Sequence, residues 1–119
     1  MTVAGHRSER IAEEIRNEIS LMLAGDLKDP RLASPLDITE VRVSPDLRQV
    51  RVYVHALGHE TERAAALAGL QAASGYIRHE LVERLRLRRA PEISFFRDES
   101  QEYGQHIDEL LQQAKKEKT

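Results

Sequence analysis

The chain contains no cysteine and no tryptophan, and only 4% of its 119 residues are aromatic. The first absence removes disulfides, thiolate metal sites and cysteine nucleophiles, and it is compatible with a reducing compartment. The scarcity of aromatic rings disfavours a single-strand binder that stacks base after base on aromatic platforms. No apolar run approaches the roughly 18 residues that would span a bilayer, and the opening MTVAGHRSER has no apolar signal core. A soluble, cytoplasmic protein with no membrane association is expected. The GxxxxGKS/T, GxGxxG, GxSxG and HExxH patterns are also missing, which removes the usual signals of phosphate-loop, dinucleotide, hydrolase and zinc-protease chemistry. His55 and His59 have an i, i+4 interval but flank Leu57 and Gly58 at a strand end, without a third clustered histidine, so no zinc site is expected. Glu13 with Glu14, and Asp98 with Glu99, are adjacent acids whose side chains diverge and cannot share a proton. The expectation is a binding protein without metal, cofactor or catalysis.

What is present is a local excess of one charge. The net charge is −2, from 18 basic and 20 acidic residues. Residues 73 to 97 nevertheless hold six arginines against Glu80, Glu83 and Glu92, a balance of +3 in a chain whose remainder is acidic. Scattered lysines would suffice for solubility, so a concentrated cationic segment points to an anionic partner such as a nucleic-acid phosphate backbone.

The length suits one domain with a hydrophobic core. Ile11, Ile15, Ile19, Met22 and Leu23 recur at helical spacing, with Ser8 as a candidate cap and Gly25 as a candidate stop. DLKDPRLASPLD, residues 26 to 37, reads as a connecting loop because of its prolines and aspartates. Residues 38 to 43 and 49 to 55 alternate as strands, with Val41 and Val43 on one face of the first and Val50, Val52 and Val54 on one face of the second. Ser44, Pro45 and Asp46 supply an antiparallel hairpin turn. Thr61 is then a candidate cap for helical periodicity through Leu67, Leu70, Ile77, Leu81 and Leu85. That phase is unbroken and permits either one long helix or two, with a break near Ser74 and Gly75. Pro91 ends helix, Glu92 to Phe96 is a third strand with Ile93 and Phe95 opposite Phe96, and a last helix from Ser100 carries Tyr103, Ile107, Leu110 and Leu111. The order describes an α+β sandwich of helices against one small sheet.

Within this plan, Arg84, Arg86, Arg88 and Arg89 suit either an anion grip or a helix end, where cations favour the macrodipole. Arg78 falls near the start of the second half of the long periodic segment, where the dipole disfavours a cation, and therefore calls for a nearby anion. Ala73, Ser74 and Gly75 leave a backbone that a phosphate can approach closely, although a tight helix crossing uses small residues equally well. Arg7 and Arg10, three apart beside His6, extend the cationic face or are ordinary surface residues.

DPRL at Asp29 to Leu32, VRVSPDL followed by VRVYV, ASGYIR, and RLRLRRAPEISFFRD, in this order and spacing over nearly the whole chain, resemble the bacterial ribosome-binding factor A family. The resemblance implies a type II KH-like domain over residues 1 to 114, in the order α-β-β-α-kink-α-β with an additional C-terminal helix. A short charged tail follows at residues 115 to 119, and some relatives carry a longer extension there. In place of the GxxG loop of other KH domains it implies an AxG break, matched here by Ala73, Ser74 and Gly75. The implied role is late maturation of the small ribosomal subunit, by binding 16S rRNA in the free 30S particle, with 5′-end processing of that RNA and growth in the cold. A monomer that needs no cofactor is implied as well. RNA contacts are then expected from Arg7, Arg10, Ala73, Ser74, Gly75, Arg78, Arg84, Arg86, Arg88 and Arg89. A module using the same arginines against an acidic protein, and a nuclease acting on precursor rRNA, are the rival classes.

Overall fold

The computed structural model describes residues 3–33 and 35–98. Helix α1 (Val3–Leu21) is followed by a π-helical turn (Met22–Asp26) and a 3-10 turn (Pro30–Leu32). Strands β1 (Leu36–Val43) and β2 (Gln49–Ala56), helices α2 (Glu60–Ala72) and α3 (Ser74–Leu85), and strand β3 (Glu92–Arg97) complete the order. Among the described residues the architecture is α+β, with three helices and a mixed three-stranded sheet in the order β1-β2-β3. The expected helix from Ser100 lies outside the described residues.

Burial explains why these segments hold. Ile15, Ile19 and Met22 from α1 and its turn, Leu70 from α2, and Ile77 and Leu81 from α3 meet Val50, Val52, Val54 and Phe95 of the sheet in one core. Each fully buried aliphatic side chain of this kind contributes about 1.5–3 kcal/mol relative to exposure. Because strand side chains alternate, the opposite face of the sheet carries Arg42, Arg51, Tyr53, Ser94 and Phe96, and no described helix packs there.

β1 and β2 pair antiparallel with a bulge between Ile38 and Glu40, whereas β2 and β3 pair parallel. The bulge has a packing reason. Strict alternation would place Ile38 and Val41 on opposite faces, yet both belong to the core side, and the extra residue Thr39 resets the phase. Thr39 Oγ1 donates to the Tyr53 carbonyl at 3.2 Å across the irregularity.

The strands each run one or two residues beyond their expected ends, and three expected helix boundaries move. Ser8 lies inside α1, which begins at Val3, so a capping residue type does not mark the start when the chain before it can continue the helix. Gly25 sits within the π-helical turn, and termination follows when Leu27 becomes extended and its N–H bonds the Met22 carbonyl at 3.0 Å. The cap of α2 is His59, not Thr61. Gly58 adopts φ +118°, which brings the chain around so that the Glu62 carboxylate reaches back over it and accepts from the His59 N–H at 3.5 Å.

The loop of residues 26 to 37 contains an ordered turn. Asp29 caps it, accepting from the Arg31 backbone N–H at 2.9 Å and pairing with the Arg31 guanidinium at 2.6 Å. That pairing holds the Asp29 carboxyl below the usual range. Leu32 then rests on Gly69 of α2, where a Cβ would stand only 3.1 Å from Leu32 Cδ2, so the glycine permits the close approach.

The long periodic segment is two helices. Ala73 (φ −86°, ψ −1°) separates α2 from α3, and its N–H is shared between the Gly69 and Leu70 carbonyls at 3.0 and 3.1 Å. The Ile77 N–H still reaches the Ala73 carbonyl at 2.9 Å. The axis bends while the hydrogen-bond ladder continues, which is why the apolar phase runs through the bend without a break.

Candidate nucleic-acid interface

The arginine-rich segment begins where α3 ends. Leu85 and Leu87 are partly buried against the core, so the residues between and beyond them, Arg86 and Arg88, are turned outward. Arg86 terminates the helix in the left-handed conformation (φ 54°, ψ 49°), and the Leu87 N–H bonds the Val82 carbonyl at 3.1 Å. Arg86, Arg88 and Arg89 are all exposed.

These three arginines share a groove of about 560 Å³ with Arg7 from α1 and Arg48 from the β1–β2 turn. Its floor includes Ile11, Ile15, Val43, Val50, Leu85 and Pro91, and among the described residues its carboxylates are Glu14 and Asp46. Among the described residues, no ion pair engages any of the five arginines. Separate chain segments thus bring five arginines to one concavity at the end of the sheet, more than the two described carboxylates there can balance, although Asp46 interacts electrostatically with Arg48.

Backbone strain collects at the same place. Among the described residues, the two non-glycine positions with positive φ are Leu47 (61°) and Arg86, and both line this groove. A side chain in that conformation costs roughly 1–2 kcal/mol. Such costs are retained where surrounding structure over-determines them, often at binding sites. At Leu47 the determinant is visible. Ser44 Oγ donates to Asp46 Oδ1 at 2.6 Å, the Arg48 N–H donates to the same oxygen at 3.1 Å, and the Gln49 N–H donates to Ser44 Oγ at 3.0 Å. These bonds, led by that from Ser44, hold the Asp46 carboxyl below its ordinary value.

The remaining expected residues are distributed otherwise. Arg84 points away from the groove into three carboxylates, pairing with Asp26 at 2.5 Å, Glu18 at 3.2 Å and Glu80 at 3.2 Å. Its guanidinium is held protonated still more firmly than usual, mainly by Asp26 and Glu18. Arg78 finds the anion that its position on α3 calls for within the chain itself. Its Nε donates to the Pro91 carbonyl at 2.8 Å and its Nη2 lies 3.4 Å from Glu92, tying α3 to the start of β3. Arg10 is exposed on α1 but does not line the groove.

Ala73, Ser74 and Gly75 lie at the helix break, apart from the arginine groove. Ser74 borders a smaller depression with Gln71 and residues Ile93 to Phe96 at the free edge of β3. Gly75 is exposed, and a Cβ there would meet nothing within 4 Å. Its backbone is therefore accessible, and no tight helix crossing requires a glycine.

Sequence reasoning missed Arg48 and Leu47, because nothing in a turn sequence says which distant segment it will face. It also grouped Arg84 with its neighbours. The one local signal that separates them is Glu80, four residues earlier on the same helical face.

Comparison with known proteins adds a family. The model described as ribosome-binding factor A matches residues 7–111. A ribosome-binding factor A from Caldanaerobacter subterraneus subsp. tengcongensis is 44% identical over 111 residues, covering 93% of this chain and 91% of its own length. A solution NMR structure of a putative ribosome binding factor A from Thermotoga maritima matches with a TM-score of 0.68 and 33% identity, over 84% of this chain and 93% of that one. The Thermus thermophilus ribosome binding factor A, as a homology model fitted into a cryo-EM map of its complex with the 30S particle, matches with a TM-score of 0.58 and 29% identity. That match covers 80% of this chain and 94% of the other.

Proposed function

The chain belongs to the ribosome-binding factor A family, whose members are ribosome factors and not enzymes, and from that premise we propose that it binds the free 30S ribosomal subunit through 16S rRNA. The Thermus relative seen with a 30S particle supports the partner. The observation that carries the mode of binding is the groove in which Arg7, Arg48, Arg86, Arg88 and Arg89 converge without an ion pair among the described residues, beside the strained Leu47 and Arg86. Phosphates of a folded RNA replace the missing counter-charges, and groove shape together with the fixed turn sets the register on the RNA. Arg10 extends the cationic surface along α1. At the helix break, where the Ala73 N–H is already bonded to the Gly69 and Leu70 carbonyls, the open space at Gly75 lets an RNA backbone pass close to Ala73, Ser74 and Gly75, the place taken by the GxxG loop in a type II KH-like domain.

Two expected contact residues take supporting parts in this reading. Arg84 braces α3 against α1, and Arg78 positions the loop that presents Arg86 to Arg89. The domain extends over residues 1 to 114, with a charged tail at 115 to 119, and acts as a cytoplasmic monomer without a cofactor. The family supports the rest of the role, which is late 30S maturation, assistance to 5′-end processing of 16S rRNA, and growth in the cold. No described helix is long and apolar enough to cross a membrane.

Co-sedimentation with purified 30S particles tests the reading. Arg86→Glu combined with Arg88→Glu abolishes association while the protein stays folded. Undiminished association would remove this groove from the interface.

A further inference from the structure

The face of the sheet that no described helix covers carries a row of flat groups. The Arg42 guanidinium lies over the Tyr53 ring, 5.5 Å from its centroid, and the Tyr53 and Phe96 rings stack with centroids 5.5 Å apart and planes inclined by 28°. One group comes from each strand, so the row runs across the sheet from β1 through β2 and stops at Phe96 on the edge strand β3. Phe96 is 41% exposed, which is unusual for a phenylalanine beside a well-filled core. Among the described residues, no further ring stacks on Phe96.

Charge on this face is uneven in a way the fold does not require. Arg42 and Arg51 stand directly opposite each other in the β1–β2 register, an arrangement that destabilises a strand pair unless the charges are compensated. Glu40 neutralises Arg42, at 2.7 Å, and Glu92 is engaged by Arg78. Arg51 is exposed in the central strand and has no ion-pair partner among the described residues. Phe96, paired with Tyr53 in the neighbouring strand, lies two positions along and one strand over from Arg51 on the same face, roughly 8 Å away. That separation is on the order of the distance from a nucleotide's phosphate to its base.

We propose that this face binds an unpaired RNA nucleotide, whose base extends the Arg42–Tyr53–Phe96 stack on Phe96 and whose phosphate is met by Arg51. The proposal deepens the RNA-binding reading and rests on it, but it uses a surface distinct from the arginine groove and a different chemistry. The groove recognises phosphates, whereas an aromatic ring on a sheet edge recognises the flat face of a base whatever its identity. The low aromatic content of the chain excludes a series of such platforms, and a single one needs only the two rings found together here.

The test uses the full chain, a fluorescent eight-nucleotide single-stranded RNA of mixed sequence, the same backbone made abasic, and 30S particles. Phe96→Leu keeps apolar cover over β3 and removes the ring, while Arg51→Gln removes a side chain with no ion-pair partner, so thermal melts control for folding. The expected result is that Phe96→Leu weakens binding of the normal oligonucleotide by about tenfold, as loss of one base–ring stack does, whereas Arg51→Gln weakens the normal and abasic strands alike. Phe96→Leu leaves binding of the abasic strand unchanged. Equal binding of the normal oligonucleotide by wild type and folded Phe96→Leu overturns the proposal. So does a loss of 30S association in Phe96→Leu with oligonucleotide binding intact, because the face would then meet a protein. If Arg86→Glu with Arg88→Glu loses the 30S particle while Phe96→Leu retains both ligands, only the platform fails. If wild type binds neither RNA nor 30S, the RNA reading fails with it.

Discussion

Arg84 Nη2 lies 2.5 Å from Asp26 Oδ2, and this pair joins the end of α3 to the turn that closes α1. With Glu18 and Glu80 also in reach, Arg84 is surrounded by more negative charge than it carries, while Arg86, two residues later, has no ion-pair partner among the described residues. Neighbouring arginines of one basic run therefore do opposite jobs.

Arg84→Gln accordingly lowers the melting temperature, because it frees Glu18, Asp26 and Glu80 to repel one another at the α1–α3 junction. In the folded variant the dependence of 30S binding on salt stays parallel to that of wild type. A shallower salt dependence would show that Arg84 reaches a phosphate after all.

Arg86→Gln and Arg88→Gln, which remove the charges without reversing them, behave in the converse way. Each phosphate that is no longer neutralised reduces the slope of log affinity against log salt by about 0.7–0.9. With two arginines replaced the plot should flatten by roughly 1.5, with little change in melting temperature because both side chains are exposed and neither has an ion-pair partner among the described residues. Titrations of 30S binding between low and moderate salt measure it, and an unchanged slope counts against phosphate contact.

Arg48 belongs with these two in the groove, although its sequence position gave no reason to single it out. What the sequence shows well is periodicity. The inward faces of α1, β2 and α3 were readable residue by residue, since Ile15, Ile19, Val50, Val52, Val54, Ile77 and Leu81 are all buried. What it shows poorly are features that leave periodicity intact or depend on distant segments. The bend at Ala73 preserves helical phase through a shared hydrogen bond, so phase alone could not separate one helix from two. The parallel pairing of β2 with β3 brings Tyr53 beside Phe96, residues far apart in the chain. The bulge at Thr39 restores an inward face that strict alternation would lose. The groove depends on three segments meeting, and a linear pattern carries no record of that.

Acid should weaken the fold through identifiable carboxylates. Asp29, Asp46 and Glu60 are held below their ordinary values, chiefly by hydrogen bonds from Arg31, Ser44 and Arg97 respectively. A carboxyl with a lower pKa folded than unfolded contributes stability above its unfolded value, and loses it as pH falls through that value toward the folded one. The urea midpoint is therefore expected to fall as pH drops below about 4–5, the unfolded carboxylate range. Asp29→Asn, Asp46→Asn and Glu60→Gln combined flatten that fall. If the triple variant declines as steeply as wild type, other groups carry the acid sensitivity.

Two glycines separate packing from binding. At Gly69 a Cβ would lie 3.1 Å from Leu32 Cδ2 and 3.2 Å from Arg31 Cβ, and the second of these atoms is fixed close to the backbone. Gly69→Ala gains about 1 kcal/mol of helix propensity but overpacks a buried contact, which costs about 1–3 kcal/mol, so net destabilisation near 1 kcal/mol is expected. Since Gly69 is buried, 30S affinity of the folded variant should not change. Gly75 reverses both effects. It lies within α3 with open space around it, so Gly75→Ala stabilises the protein by about 0.5–1 kcal/mol. If a phosphate approaches the backbone at the helix break, the same methyl stands in its way and 30S binding weakens. Stability and affinity then move in opposite directions at Gly75, a combination that a purely structural role for Ala73 to Gly75 does not produce. A more stable variant with undiminished 30S binding would leave the arginine groove as the interface and remove the helix break from it.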